Sequence, residues 1–274
     1  MTTSFESGYS GTPLFRALGT LVNINSADIS FNEYYIGLLD YYDNWSEMDE
    51  EISHYQTVLT HPAESLGHCL VTMATHCYIL FEVLPTLDED ASGVVIASAM
   101  IEAYLYSVRK AYDAIGSMVA YRVAGRPGQA PSASLHDLIV WGQKNPNRVR
   151  PEYREFLESD FSEFYWFRGL RDKIAHQGLS PVAHTDGRQL NLWLHSAQKP
   201  AWIAREPLFP VLRRALIDLT RVGNAAAAAL KSELGFPDRR HQTRAVSGIY
   251  IHYLHRLVAE ADQFAKPLPA FPPR

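Results

Sequence analysis

Beyond residue 90, apolar residues recur at three- and four-residue steps, the spacing of one face of an α-helix. The longest such run covers about 92–123, through Ile96, Met100, Ala103, Ser107, Ala111, Ala114, Ile115 and Met118. Ser92 is placed to cap it, and Gly125-Arg126-Pro127-Gly128 ends it. About 30 residues make roughly 45 Å of helix, a length that suits a bundle. A second helix is expected over 132–143, ending at Asn145-Pro146. A third opens at Pro151, carries Leu157, Phe161, Phe164, Phe167, Leu170 and Ile174, and stops at Gln177-Gly178. The pattern then switches to alternation over 189–204, with Leu190, Leu192, Leu194 and, past Lys199-Pro200, Trp202 and Ala204, a β-hairpin signal. After Glu206-Pro207 another long helix carries Phe209, Leu212, Leu216, Leu219, Gly223, Ala226 and Leu230. Its alanine run 225–229 forms a close-packing face. An amphipathic helix over about 241–265 and a Pro-rich tail follow.

The first third has a different pattern. Residues 1–30 are rich in Ser, Thr, Gly and Asn and form a loosely held lead-in. Aromatic and acidic residues mix over 31–60, with a short helix from about 46 that stops near His61-Pro62. Residues 66–84 are apolar almost throughout. Periodicity leaves them a buried helix or a buried strand, and their length favours the helix. The expected organisation is an acidic segment 1–88, a mainly α bundle of four to five long helices with a small inserted β-hairpin over 89–266, and a tail 267–274.

Composition narrows the class. The chain has 274 residues, 47% hydrophobic and 20% charged, an ordinary globular make-up. No run of 18 apolar residues exists, and the N-terminus lacks the pattern of a secretory signal. Two cysteines, Cys69 and Cys77, rule out a disulfide framework and make the cytoplasm the expected compartment. The net charge of −5 hides a split. Residues 1–104 carry fifteen acidic side chains and a single basic one, Arg16, whereas 105–274 carry 24 basic and 15 acidic. A basic body points to an anionic partner, or packs against the acidic segment and is neutralised by it. Covered in that way, the basic face would be held inactive.

One stretch carries chemistry: Phe167-Arg168-Gly169-Leu170-Arg171-Asp172-Lys173-Ile174-Ala175-His176. At 100° per residue, Arg171 falls on the stripe of Leu157, Phe161 and Phe164, and an arginine there needs a partner. Asp172 stands four residues before His176, the spacing at which a carboxylate holds an imidazole. His176 is 140° round from Arg171 and about 7.5 Å along the axis. A phosphate fits between two such long side chains, or across a two-fold axis that pairs one copy's Arg with the other's His. An imidazole exchanges protons near neutral pH, so His176 is the candidate base for a ribose 2′-hydroxyl. Arg171 would grip the phosphate and stabilise its transition state.

Arg171-Asp172-x-x-x-His176 resembles the signature of the HEPN superfamily (higher eukaryotes and prokaryotes nucleotide-binding): an Arg, a polar residue, then a His four to six positions after the Arg. The surroundings over about 90–265 agree: a long preceding helix, an aromatic-rich helix into the motif, a glycine after it and a long helix following. The resemblance implies a helical, often dimeric bundle and a metal-independent endoribonuclease that leaves a 2′,3′-cyclic phosphate. Such proteins act as toxins or in phage defence, so an antitoxin or regulatory protein is an expected partner beside RNA. It implies no cofactor, and it makes Arg171 and His176 catalytic with Asp172 in the polar position. Asp172 departs from the commoner Asn, and an acid beside a phosphate works against binding it. Other members lack the motif and serve as nucleotide-, RNA- or protein-binding bundles, the alternative here.

Glu102, Tyr106, Arg109 and Asp113 share one stripe of the long helix and either support the cleft or form a solvated face. Arg168, Lys173 and Arg150, the last within the cluster Arg148, Arg150 and Arg154, are RNA-contact candidates. His68-Cys69 and His76-Cys77 resemble paired metal ligands, but eight residues of helix is about 12 Å, too far for one zinc. His241, His252 and His255 suit surface or core positions. No P-loop, dinucleotide glycine turn or nucleophile elbow is present.

Overall fold

A computed structural model describes residues 62–83, 91–126, 128–177, 179–186, 189–196, 202–234 and 252–261. The expectations for residues 1–60, for most of 241–265 and for the tail lie outside the described residues. The described part is mostly helical, with a small three-stranded antiparallel sheet.

Helix α1 spans Pro62–Tyr78 and continues as a π-helical turn, Ile79–Val83. Pro62 is its first residue, where a missing N–H costs no hydrogen bond. The apolar run is thus a helix, and Leu66, Leu70, Met73, Ala74 and Cys77 are buried. They join the same core cluster as the later helices. The sequence divide at residue 88 therefore falls inside one packed unit.

Helix α2, Ala91–Ala120, is the hub. Ser92 lies inside its first turn rather than capping it. Of the stripe read from the sequence, Ser107, Ala111, Ala114, Ile115 and Met118 are buried while Ile96, Met100 and Ala103 are half-buried, and α2 also encloses Ala97, Ile101, Tyr104, Val108, Tyr112 and Val119. A helix apolar on most sides needs neighbours all round, and α2 has them in α1, the sheet and the helices below.

Helix α3, Leu135–Lys144, is capped by Ser134, whose Oγ accepts from the Asp137 N–H at 3.1 Å. It comes so close to α2 that a Cβ on Gly116 would stand 2.7 Å from the Leu135 Cα. The long helix expected from Pro151 is broken. A 3-10 turn at Pro151–Tyr153 leads into the short α4, Arg154–Leu157, and α5 begins afresh at Ser162–Gln177. The Asp160 carboxylate accepts the Ser162 N–H at 2.8 Å, which restarts the helix. Leu157 is therefore not on the stripe of Arg171.

The expected hairpin is two strands of a three-stranded sheet: β1 Leu179–Asp186, β2 Gln189–Ser196 and β3 Trp202–Pro207, in the order β1-β2-β3. The extra strand docks on α2, where the Ala183 N–H donates to Ser98 Oγ at 3.0 Å. Helix α6, Leu208–Leu234, follows without a loop. Its residues Phe209, Leu212, Leu216, Leu219 and Leu230 are buried as the spacing predicts. Two buried phenols bind it to α2. Tyr104 donates to the Leu212 carbonyl at 3.0 Å, and Tyr112 donates to the Asp218 carboxylate at 2.5 Å. Each such bond is worth about 1 kcal/mol, more when the acceptor is charged. Of the last expected helix, α7 His252–Glu260 is described.

Candidate functional site

The motif occupies the last turns of α5. Phe164, Phe167, Leu170 and Ile174 are buried and fix the helix's rotation. That rotation leaves Arg171 partly buried, its side chain 20% exposed, and turns His176 outward. Arg171 Nη1 lies 2.9 Å from Asp172 Oδ1, and Arg168 Nε lies 3.8 Å from the same carboxylate. The Asp172 carboxylate is thus held by two arginines instead of His176. His176 makes no hydrogen bond or ion pair with a described residue.

Helices α2 and α5 run antiparallel. Tyr112 meets Phe164 edge-on, with centroids 5.1 Å apart, while Ser98, fourteen residues earlier on α2, meets Ala183 beyond the end of α5. This direction brings Arg109 over the Phe164 ring at 5.2 Å. Its Nη1 pairs with Asp113 Oδ1 at 3.0 Å, and its side chain is 11% exposed. The charges of Arg168, Arg171 and Asp172 all act on it, and burial is the main cause that lowers its pKa. Asp113 also accepts the Leu135 N–H at 3.1 Å, which ties the cluster to the head of α3. Burial raises the Asp113 pKa, while Arg109 and Arg171 oppose the rise.

The structure adds a residue that sequence reasoning missed. His136, in the first turn of α3, stands edge-on to Tyr165 of α5, with centroids 5.7 Å apart. Burial first, then Arg168, lowers its pKa. Sequence signalled only a helix over 132–143, whose apolar face leaves His136 to one side. Its meeting with α5 is a tertiary fact.

Of the sequence candidates, Arg109, Asp113, Arg168, Arg171 and Asp172 therefore come together. Glu102 and the exposed Tyr106 continue the α2 stripe without a contact to the cluster. Lys173 is exposed and unpaired among the described residues. Arg150 belongs elsewhere. Its Nη1 lies 2.5 Å from Glu233 Oε1, in a cluster that Arg122 and the Tyr153 hydroxyl complete. That pairing sets it apart from the α5 motif, with its side chain still 37% exposed. Arg148 donates to Gln129 and lies over the Trp141 ring.

Cys69 and Cys77 are buried free thiols, and burial pushes the Cys69 pKa up to about 11. His76 is buried and His68 exposed. Among the described residues no group of three or more His, Cys, Asp or Glu could hold a metal ion, and no helix is long and apolar enough to cross a membrane. The chain matches no protein-family model, no curated protein and no solved structure.

Proposed function

We propose that the protein is a metal-independent endoribonuclease of the HEPN type, built on a helical bundle, acting on RNA in the cytoplasm as a toxin or defence effector. The observation that carries this reading is the division of labour at the end of α5. Arg171 faces inward with other arginines, while His176 faces outward, unpartnered among the described residues. The guanidinium grips the scissile phosphate and the imidazole takes the 2′-hydroxyl proton. The 2′-oxygen bonds to phosphorus and the bond to the 5′-oxygen breaks. The leaving oxygen takes its proton from solvent, and a 2′,3′-cyclic phosphate remains. Because the two side chains diverge by 140° on one helix, a homodimer that faces one copy's Arg171 toward the other's His176 completes the site. An antitoxin or regulatory protein would act by covering that groove.

The test compares the full chain with Arg171→Ala and His176→Ala on mixed RNA in EDTA. Wild type should cut, and each variant should lose at least about 100-fold. Equal cutting by all three, or none by wild type over a range of RNAs, contradicts the proposal.

A second reading has its own observation. Asp172 Oδ1 stands 2.9 Å from Arg171, where an incoming phosphate oxygen would go. If that carboxylate never yields, the bundle binds nucleotide, RNA or protein without cutting. Asp172→Asn separates the two, since it should raise cleavage under the first reading and leave it absent under the second.

A further inference from the structure

The junction of α2, α3 and α5 has more polar nitrogens than it uses, most of them on arginines. Arg109 Nε and Nη1, Arg171 Nε and His136 Nδ1 are all screened from solvent, yet none makes a hydrogen bond. Arg109 Nη1 has its ion pair with Asp113 at 3.0 Å, but out of hydrogen-bond alignment. Screened donors without acceptors are costly, and proteins rarely leave several in one place. In the partly buried part of the cluster three guanidiniums, of Arg109, Arg168 and Arg171, face two carboxylates, of Asp113 and Asp172. A third carboxylate, Asp137, lies at the exposed rim and is engaged by the Ser134 hydroxyl at 2.8 Å. Among the described residues, one acceptor of single negative charge is what the set lacks. A phosphodiester supplies that charge, with oxygens enough for a fork of N–H groups. Tyr165, 38% exposed and edge-on to His136, offers a ring at the rim on which a base can stack.

We infer that Arg109, Arg168 and His136 form a second phosphate subsite, beside the Arg171–His176 pair, that holds a phosphodiester neighbouring the scissile one in single-stranded RNA. This rests on the RNA-cleaving reading of the α5 motif. It gives that site a footprint of at least two phosphates, and it makes His136 and Arg168 binding residues instead of members of a helix surface.

The experiment measures binding without chemistry. A fluorescein-labelled 2′-O-methyl RNA octamer, which has no free 2′-hydroxyl to attack, is titrated with the full chain at several salt concentrations. Arg168→Gln and His136→Asn should each weaken binding by about 10-fold. Arg168→Gln should also flatten the salt dependence by about 0.7 in the logarithmic slope, the mark of one lost single-strand phosphate contact. Lys110→Gln, an exposed cation on the next face of α2, should leave affinity and slope unchanged. Wild-type affinity and slope in both subsite variants would overturn the inference, even in a protein that cuts RNA. A protein that binds the octamer through these residues yet cuts no natural RNA would keep the subsite and refute the cleavage reading. Binding of a fluorescein-labelled nucleoside monophosphate, with no binding of the octamer, would place a free nucleotide there and overturn the assignment to RNA.

Discussion

Among the described residues two clusters bring several arginines together, and they differ in how their charges are balanced. Around Glu233, only 6% exposed, Arg122, Arg150 and the Tyr153 hydroxyl converge on one carboxylate, with Glu152 beside Arg150. Two guanidiniums face two carboxylates, and the pairing ties the end of α6 to the turns around α4. At the other cluster Arg109, Arg168 and Arg171 face Asp113 and Asp172, and screened N–H groups stay unused. In the first cluster each arginine has a carboxylate, and the atom left without a hydrogen bond, Glu152 Oε2, is an acceptor and no donor. The second is short of an acceptor, as a binding site should be. Arginine density alone does not tell the two apart. The balance of acceptors does.

The largest effect expected from breaking this contrast is at the closed cluster. Glu233→Gln removes the buried charge that Arg122 and Arg150 share and should cost roughly 3 kcal/mol in a urea melt. Cleavage per folded molecule should not change. A loss of activity beyond the loss of folded protein would erase the distinction between the clusters. Gly116→Ala comes next. A methyl there meets the Leu135 backbone at 2.7 Å, a clash that neither neighbour relieves by rotating a side chain. Overpacking costs about 2–3 kcal/mol and helix propensity returns about 1, so a net loss of about 1–2 kcal/mol is expected. Because Leu135 precedes His136, RNA affinity should fall with it.

At the open cluster the stability effects should be small. Arg168 is a partly exposed helix residue 3.8 Å from its carboxylate, and Arg168→Gln should move stability by no more than about 0.5 kcal/mol. The smallest effect is a pH dependence. The His136 pKa is lowered in the fold by burial and then by Arg168. The unfolded chain therefore binds the proton more readily, and stability falls as pH drops through the ordinary imidazole range. Arg109, Asp137, Asp172 and Tyr165 are the other groups in its field. Melts between pH 7.5 and 5.5 should show a shallower loss for His136→Asn than for wild type. RNA affinity should show the opposite sign, rising with acidity, because a bound phosphodiester favours the imidazolium. Equal slopes in both proteins would remove His136 from the site.

Helices α2, α3 and α6 were legible because a helix's apolar face repeats within the segment itself. The break before α5 was not, since no Gly or Pro marks it. It is made by the short polar turn Glu158-Ser159-Asp160, with Asp160 taking the Ser162 N–H. Strand β1 was hidden because Pro181 interrupts its alternation. Its clue was Gly187-Arg188, the two residues between Asp186 and Gln189, which pair. The Arg–His motif was visible because it lies within one helix, and the α2 stripe of Arg109 and Asp113 was visible for the same reason. His136 and Glu233 were not, since each acquires its role only when another helix arrives. Arg150 was read by charge alone, and its pairing with Glu233 is a contact between distant segments that the sequence does not show.

The measurement that bears most directly on the function assigned to Arg171 and His176 uses two RNAs differing at one atom. The protein, stripped with EDTA, is first given a strand with a mapped cut site. It is then given the same strand with a single 2′-deoxy sugar 5′ to that cut. The account predicts cutting of the first strand with a 2′,3′-cyclic phosphate end, and an intact bond at that position in the second. Cutting of both strands at the same bond would contradict it.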